Sequence, residues 1–409
     1  MIGSVGAFLQ QTAQGWLVLD LTDSPAALGL VSALATLPLL LFSVLAGVVA
    51  DRVDRRKLIA ATQLFAAVVA FVLALLTTLG IVQFWQVAVL AFLAGTAAAL
   101  QSPAYQAIVS NLVDRAALGS AVALNSAQFN LARILGPALA GAVIAAGGLQ
   151  LAFWGNAVAL LFVAFIFLRL NVAPRRDLAS AQASMWSNLV DGIRYVRGRR
   201  IVLVLVLLAA VPAVFLLNYL VLLPVFARDV LAIGAPGLGL LSAGIGVGAL
   251  IGAISLAILR PSGGSGRALL AGLVIASLAE VVFASSRIVA LSIAALAVLG
   301  ACQVLYYATS NTLLQVLVPG RLRGRVMSLY ILTSWGMIPV GNVLAGIVAE
   351  RSSATVALVG GGLITLAVTI GVAIAVPELR NLKSGAGGPP ADVPAAPVKP
   401  SREALPQER

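Results

Sequence analysis

Long apolar runs alternate with short polar breaks along the chain, at residues 1–20, 25–50, 58–80, 82–105, 119–147, 150–170, 200–227, 235–259, 267–286, 288–311, 323–349 and 353–376. About 20 apolar residues cross a bilayer as a helix, so the pattern predicts twelve transmembrane helices. A membrane β-barrel would show alternating segments of about ten residues; these runs are continuous and rich in Ala, Leu, Val and Gly. The expected fold class is all-α and membrane-embedded. The first run begins at Met1 without a basic flank, so an upstream start is expected.

The runs fall into two groups. Residues 171–199 break the pattern with "RRDLASAQASMWSNLVDGIRYVRGRR", in which Met185, Trp186, Leu189, Val190, Ile193 and Val196 are spaced along one helical face. This reads as a cytoplasmic linker containing an amphipathic helix, between a six-helix half at 1–170 and another at 200–376. Residues 377–409 are rich in Pro, Gly and Ala and are expected to form a disordered cytoplasmic tail. The halves are repeats. An offset of 205 aligns Leu112, Val113, Gly119, Leu124, Gly136, Ala140 and Gly141 with Leu317, Val318, Gly324, Leu329, Gly341, Ala345 and Gly346. An offset of 210 aligns Leu28, Gly29, Leu30, Ser32 and Ala33 with Leu238, Gly239, Leu240, Ser242 and Ala243. With an even number of helices in each half, the repeats run parallel, an architecture whose binding site lies between the halves.

Composition narrows the chemistry. Of the 409 residues, 61% are hydrophobic and 10% charged, with no histidine and one cysteine, Cys302. A histidine-based metal site, a Cys-His pair and an internal disulfide are excluded. No phosphate-binding glycine loop, paired carboxylates or activated nucleophile is visible, so no catalytic residue, metal or cofactor is expected. The net charge of +12 follows from topology: 22 of the 26 Lys and Arg lie in the terminal segments and at 51–57, 106–118, 169–200, 260–267 and 320–325. Basic residues are retained on the cytoplasmic side, which places both termini there and makes anionic lipid, not nucleic acid, the partner of this charge.

The turn after the second run reads "GVVADRVDRRKL", with Gly47, Asp51, Arg52, Asp54, Arg55 and Arg56. It resembles the loop signature of the major facilitator superfamily, except that Asp54 stands where that pattern has a second glycine. The resemblance implies a cytoplasmic latch in which Asp51 meets the N-terminus of the eleventh helix and the arginines meet neighbouring acids. A solvated, positive-inside loop is the alternative. The segments "SVGAFLQQTAQGWLVLDLTDSPAALGLV", "LNSAQFNLARILGPALAG" and "WSNLVDGIRYVR" are similar to the bacterial enterobactin-exporter and macrolide-efflux branch. That resemblance implies a monomeric, proton-driven exporter of a small amphipathic compound, siderophore, macrolide or drug-like, in the bacterial inner membrane. Gly136, Pro137 and Gly141 resemble the antiporter motif of the fifth helix, with close helix packing as the alternative. An importer of the same fold, a lipid scramblase and a membrane-embedded enzyme are the competing functions.

Arg133 lies among Leu131, Ile134 and Leu135. A central arginine costs at least about 2.5–3.5 kcal/mol on insertion scales, so it should face protein or a wet cavity. Its repeat partner is Ile338, so the architecture does not demand a cation there. A substrate or gating role, supported by Asn130 one turn away, stands against a structural arginine satisfied by carbonyls. Under the superfamily arrangement the first, fourth, seventh and tenth helices line the cavity. They carry Gln10, Gln11 and Gln14, then Gln101, Ser102 and Tyr105, then Asn218 and Tyr219, then Gln303, Tyr306, Tyr307 and Asn311. Amides and phenols suit a mixed polar and apolar ligand. Glu280, the one acid deep in a run, is chemically suited to carry a coupling proton, although the resemblance puts its helix at the periphery. Asp20 and Asp23 read as an ordinary solvated loop. The topology is checked on a Cys302→Ala background: a cysteine introduced at Ser384 should be labelled only from the inside, and one at Thr22 only from the outside.

Overall fold

The computed structural model describes residues 1–111, 118–170, 185–259 and 265–382. The first part of the expected linker, 171–184, and the tail from 383 onward lie outside the described residues. Six helices come first: α1 (Ile2–Thr22), α2 (Pro25–Arg52), α3 (Arg55–Thr78), α4 (Phe84–Asn111), α5 (Leu118–Gly147) and α6 (Leu149–Arg169). The linker contributes α7 (Met185–Gly198). An interrupted span follows, made of α8 (Arg200–Phe215), α9 (Tyr219–Val225) and a π-turn at Phe226–Val230. Then come α10 (Gly234–Leu259), α11 (Gly266–Ser285), α12 (Val289–Leu317), a second interrupted span of α13 (Gly320–Ser334) and α14 (Ile338–Arg351), α15 (Ala354–Ala375) and the short α16 (Pro377–Asn381).

Eleven spans among the described residues are long and apolar enough to cross a membrane. Of the twelve expected runs, the first falls short of that measure, because Gln10, Gln11 and Gln14 lower the hydropathy of α1. It nevertheless packs inside the bundle, against α5 and α6. The outer helices turn apolar stripes away from the protein: Leu64, Phe65, Val68, Phe71 and Leu75 on α3 are exposed, as are Val158, Leu161, Phe162 and Phe165 on α6. In water such faces would drive aggregation; in a bilayer they meet lipid.

Both helix interruptions have local causes. Pro339 has no amide to offer Trp335 and its fixed φ suits the first turn of a helix; α13 accordingly ends at Ser334 and α14 begins at Ile338. In the earlier span the amides of Leu216 and Leu217 both turn back to the Pro212 carbonyl, and regular pairing resumes only when Val221 and Leu222 bond Asn218. The Asn218 side chain repairs part of the gap, its Nδ2 donating to the Val214 carbonyl at 2.7 Å.

Helices α1–α6 pack chiefly on one another, as do α8–α15, and two helix pairs form the main seams between the groups: α5 with α10 and α2 with α14. Each seam is a glycine-to-glycine contact. A Cβ on Gly141 would fall 3.0 Å from the Ala235 carbonyl oxygen and 3.2 Å from the Gly239 Cα. A Cβ on Gly346 would fall 2.8 Å from the Pro25 carbonyl oxygen and 3.1 Å from the Gly29 Cα. These four glycines are two repeat pairs, Gly141 with Gly346 and Gly29 with Gly239, so the second seam reproduces the first. Both lie towards the end of the bundle that carries the Thr22–Pro25 turn, termed here the Asp23 end; the opposite end carries Asp54.

Helix α7 rests on α8 and α13. Asp191 pairs with Arg325 at 2.6 Å, and Val196 is buried with Ile193 packed beside it, so this part of the apolar face meets protein. Residues 377–382 are ordered where a disordered tail was expected, because Leu379 is fully buried and the Gly266 amide bonds the Leu382 carbonyl at 3.1 Å.

The seams give a direct test. Gly141→Leu and Gly346→Leu should each destabilise by about 1–3 kcal/mol through overpacking. Gly155→Leu, where an added Cβ meets nothing within 4 Å, should leave thermal unfolding in detergent unchanged.

Candidate functional site

Three candidate residues meet in the middle of the bundle, and they come from three spans. Arg133 on α5 donates from Nη2 to Gln303 Oε1 on α12 at 2.9 Å. Tyr219, the first residue of α9, donates its hydroxyl to the same oxygen at 3.3 Å. Tyr219 is completely buried and Gln303 nearly so, while Arg133 is half-buried. The Arg133 bond therefore crosses from one helix group to the other, and its acceptor is a neutral amide. Among the described residues no ion pair includes Arg133.

Aromatic rings extend this centre. Tyr306 and Tyr307 stack with centroids 4.6 Å apart, and Tyr307 stacks on Trp335, at the interruption between α13 and α14, at 6.2 Å. Neither tyrosine hydroxyl has a hydrogen-bond partner beyond the other. Such groups cost about 1–3 kcal/mol each when left unmade in a dry interior, so they suit a ligand or water with acceptor atoms. Trp335 was not singled out from the sequence; its position one residue before glycine in a proline-interrupted span was the available signal.

The other candidate residues are dispersed. Gln10 is buried and accepts from Asn156 Nδ2 of α6 at 2.6 Å, so it ties α1 to α6; the lone amide in "WGNAVAL" was the sign of its partner. Gln14 and Gln101 are half-buried on α1 and α4. Tyr105 donates to Asn125 Oδ1 at 3.2 Å, joining α4 to α5. Asn311 accepts from Gln315 on its own helix. Asn218 spans the helix gap, and its Oδ1 remains without a partner. Asn130 is half-buried, three residues before Arg133. Glu280 is fully buried on α11, with both carboxyl oxygens unpartnered and Oε2 against the position a Gly362 Cβ would take, at 3.3 Å. Its helix is peripheral, but its side chain points inward.

Residues 1–402 match the family described as transmembrane secretion effector, within the major facilitator superfamily. The chain belongs to this family. It is a multi-pass membrane transporter of small molecules, not an enzyme. Relatives include the staphyloferrin A transporter of Staphylococcus aureus, 26% identical over 85% of this chain and 86% of that one. The multidrug efflux pump Tap of Mycolicibacterium fortuitum is 27% identical over 90% of this chain and 91% of that one. The fold is shared with the nucleoside transporter NupG, at a TM-score of 0.69 and 15% identity over 93% of this chain and 99% of that one. It is shared also with a bacterial homologue of the lysosomal transporter Spinster, at 0.72 and 14% identity over 93% and 96%.

The superfamily loop takes a definite form here. Asp54, in place of the second glycine, caps α3 by accepting from the Arg56 and Lys57 amides at 2.9 and 3.3 Å. Arg56 donates to the Leu170 carbonyl at the end of α6, which ties the loop to its own helix group. Arg52 is exposed and Arg55 half-buried, and a Cβ at Gly47 would meet nothing within 4 Å. The Asp51 side chain lies outside the described residues. The fifth-helix motif divides its work. A Cβ on Gly136 would fall 2.9 Å from the Val5 carbonyl oxygen, so this glycine packs α5 onto α1, while Gly141 packs α5 onto α10 and the Pro137 carbonyl oxygen lies against Gly239.

Gln303→Leu should leave the donors of Arg133 and Tyr219 unmatched, lowering stability by about 1–3 kcal/mol per group. Tyr219→Phe, which keeps the Arg133 bond, should cost only about 0.5–1.5 kcal/mol. Thermal unfolding of both purified variants checks the order.

Proposed function

We propose that this transporter is a proton-driven exporter of a small amphipathic compound, siderophore, macrolide or drug-like, that carries an anionic or catechol-like group. It works by alternating access as a monomer in the bacterial plasma membrane. The N-terminal and C-terminal six-helix halves, 1–170 and 200–376, rock against each other with both termini cytoplasmic. In this topology the Asp23 end faces outward, and the glycine seams hold the outer side closed.

The observation that carries the reading is Arg133, held across the halves by an amide. A carboxylate partner would neutralise the guanidinium; Gln303 leaves its charge available to an incoming anion. A ligand oxygen that takes the Arg133 donors releases Gln303 Oε1 to Tyr219 alone, which loosens one link between the halves as the site fills. The stacked Tyr306, Tyr307 and Trp335 offer faces to the flat or apolar part of the ligand. Glu280 is the candidate for the coupling proton, since an acid enclosed without a partner can carry a proton through a region where a permanent charge is costly. Relatives named for staphyloferrin A and for multidrug efflux support the substrate class and the direction.

Transport by the purified protein in vesicles, with an imposed pH gradient and a panel of siderophores, macrolides and dyes, tests this. Uptake into inside-out vesicles driven by an acidic interior is expected. Arg133→Lys should weaken affinity and Arg133→Gln should weaken it further, by about 10- to 150-fold, the equivalent of a lost charged hydrogen bond. Glu280→Gln should abolish the response to the pH gradient while substrate exchange persists. Wild-type affinity and transport in Arg133→Gln would overturn the substrate role.

A further inference from the structure

The turn between α1 and α2 reaches two spans of the opposite half through consecutive residues. Asp23 accepts from Arg228 Nη2 in the π-turn that ends the seventh span. Arg228 is also fixed by Asp229, at 2.6 Å from Nε, and by the Leu19 carbonyl, at 3.3 Å from Nη1. Next to Asp23, Ser24 donates its hydroxyl to Glu350 Oε2 at 2.8 Å, and the Ala26 amide donates to the same oxygen at 3.3 Å. Glu350 is the penultimate residue of α14. Its carboxylate thus sits over the N-terminus of α2, where a helix dipole favours negative charge.

The turn is shaped to make both contacts. Asp23 adopts φ 51°, ending α1 in the left-handed region with its amide on the Leu19 carbonyl at 2.9 Å. Leu19's carbonyl therefore receives both the turn and the arginine that grips it. Ser24 caps α2 by accepting from the Ala27 amide at 3.1 Å, with Pro25 in the first helical position. Asp23, which reads from sequence as a solvated loop residue, is one half of an ion pair.

The repeat supplies an internal control. The glycine seam occurs twice, but the clasp does not. By the offset of 210, Asp23 and Ser24 correspond to Ile233 and Gly234 and Arg228 corresponds to Val18; by the offset of 205, Glu350 corresponds to Ala145. None of these can form an ion pair or cap a helix with a carboxylate. Packing of this fold therefore does not require the four polar residues at their places.

We infer that Asp23–Ser24 is a two-handed outer clasp and that Arg228 and Glu350 are positioning residues for alternating access. Through Glu350 they lock the seam between α2 and α14, and through Arg228 they tie the same turn to the end of the seventh span, adding polar grips to the outer closure that both glycine seams provide. Outward opening requires both grips to release together. This rests on the alternating-access reading and not on the identity of the substrate or of the coupling ion.

The test uses the full chain in lipid nanodiscs without substrate, with Cys302→Ala and spin labels at the exposed Ile81 and Ile288 turns, one on each half. Wild type should show a dominant short separation and a minor long one. Asp23→Asn with Glu350→Gln should raise the long population relative to the short by at least about fivefold, as a coupling of that size does. The exchanged pair Asp23→Arg with Arg228→Asp, with Glu350 intact, should restore the wild-type ratio. Asp23→Asn alone, at an exposed side chain, should give a partial shift with unchanged thermal unfolding, which keeps the result separate from a folding defect. Two populations whose ratio ignores every variant would overturn the clasp, as would an exchanged pair that shifts as far as Asp23→Asn. A single fixed distance in all variants would overturn alternating access and the clasp with it.

Discussion

Two backbone-to-backbone contacts hold this molecule together as one bundle. Lipid tails are as apolar as leucine, so helices in a bilayer gain little from hiding hydrophobic side chains and associate by fitting closely. Gly141 on Gly239 and Gly346 on Gly29 provide that fit. Because the four glycines are related by the internal repeat, the two halves meet through a symmetric pair of seams. The central polar site hangs from those seams. Arg133 is two turns from Gly141 on the same helix, and its reach to Gln303 depends on how closely α5 lies against α10.

Function enters where the symmetry is broken. Arg133 has Ile338 as its counterpart, and among the described residues only the second half carries interruptions in the middle of its spans, at Leu216–Asn218 and Trp335–Met337. The interruption in the seventh span puts Tyr219 at a helix start next to Gln303, while that in the eleventh brings Trp335 against Tyr307. In the eleventh span Pro339 lacks the amide that would continue the helix, in the seventh the Pro212 carbonyl takes two amides at once, and nearby side chains or ring stacking fill in at each break. One half thus presents an arginine from an unbroken helix, and the other presents amides and rings from interrupted spans.

The fold was legible because membrane helices announce themselves by length and hydropathy, and the repeat was legible because its glycines are backbone requirements. Polar contacts between distant spans were less so. Arg133 could be recognised as out of place from its cost in lipid, but nothing in the sequence named Gln303 as its partner. Gln10 and Gln303 look alike as solitary amides in apolar helices; one fastens α1 to α6 and the other faces Arg133. Sequence gives the helix on which such a residue lies, whereas its azimuth depends on packing that only three dimensions resolve. The linker shows the same limit. The apolar face of α7 was visible in the spacing of Ile193 and Val196, but not that these two would pack into the core of the second helix group.

An arginine steadied by an amide instead of an acid has an electrical consequence. On the proposed reading, Arg133 gives the centre a positive charge that a bound monoanion cancels, and Glu280 adds to the count according to whether it carries its proton. The empty and loaded forms respond differently to the voltage across the membrane, which does work of about 2.3 kcal/mol on each elementary charge moved through 100 mV. On that reading voltage acts on whichever stroke moves the guanidinium through the field without a bound anion. Glutamine at position 303 leaves the cancelling of that charge to a ligand, where a glutamate would have cancelled it permanently.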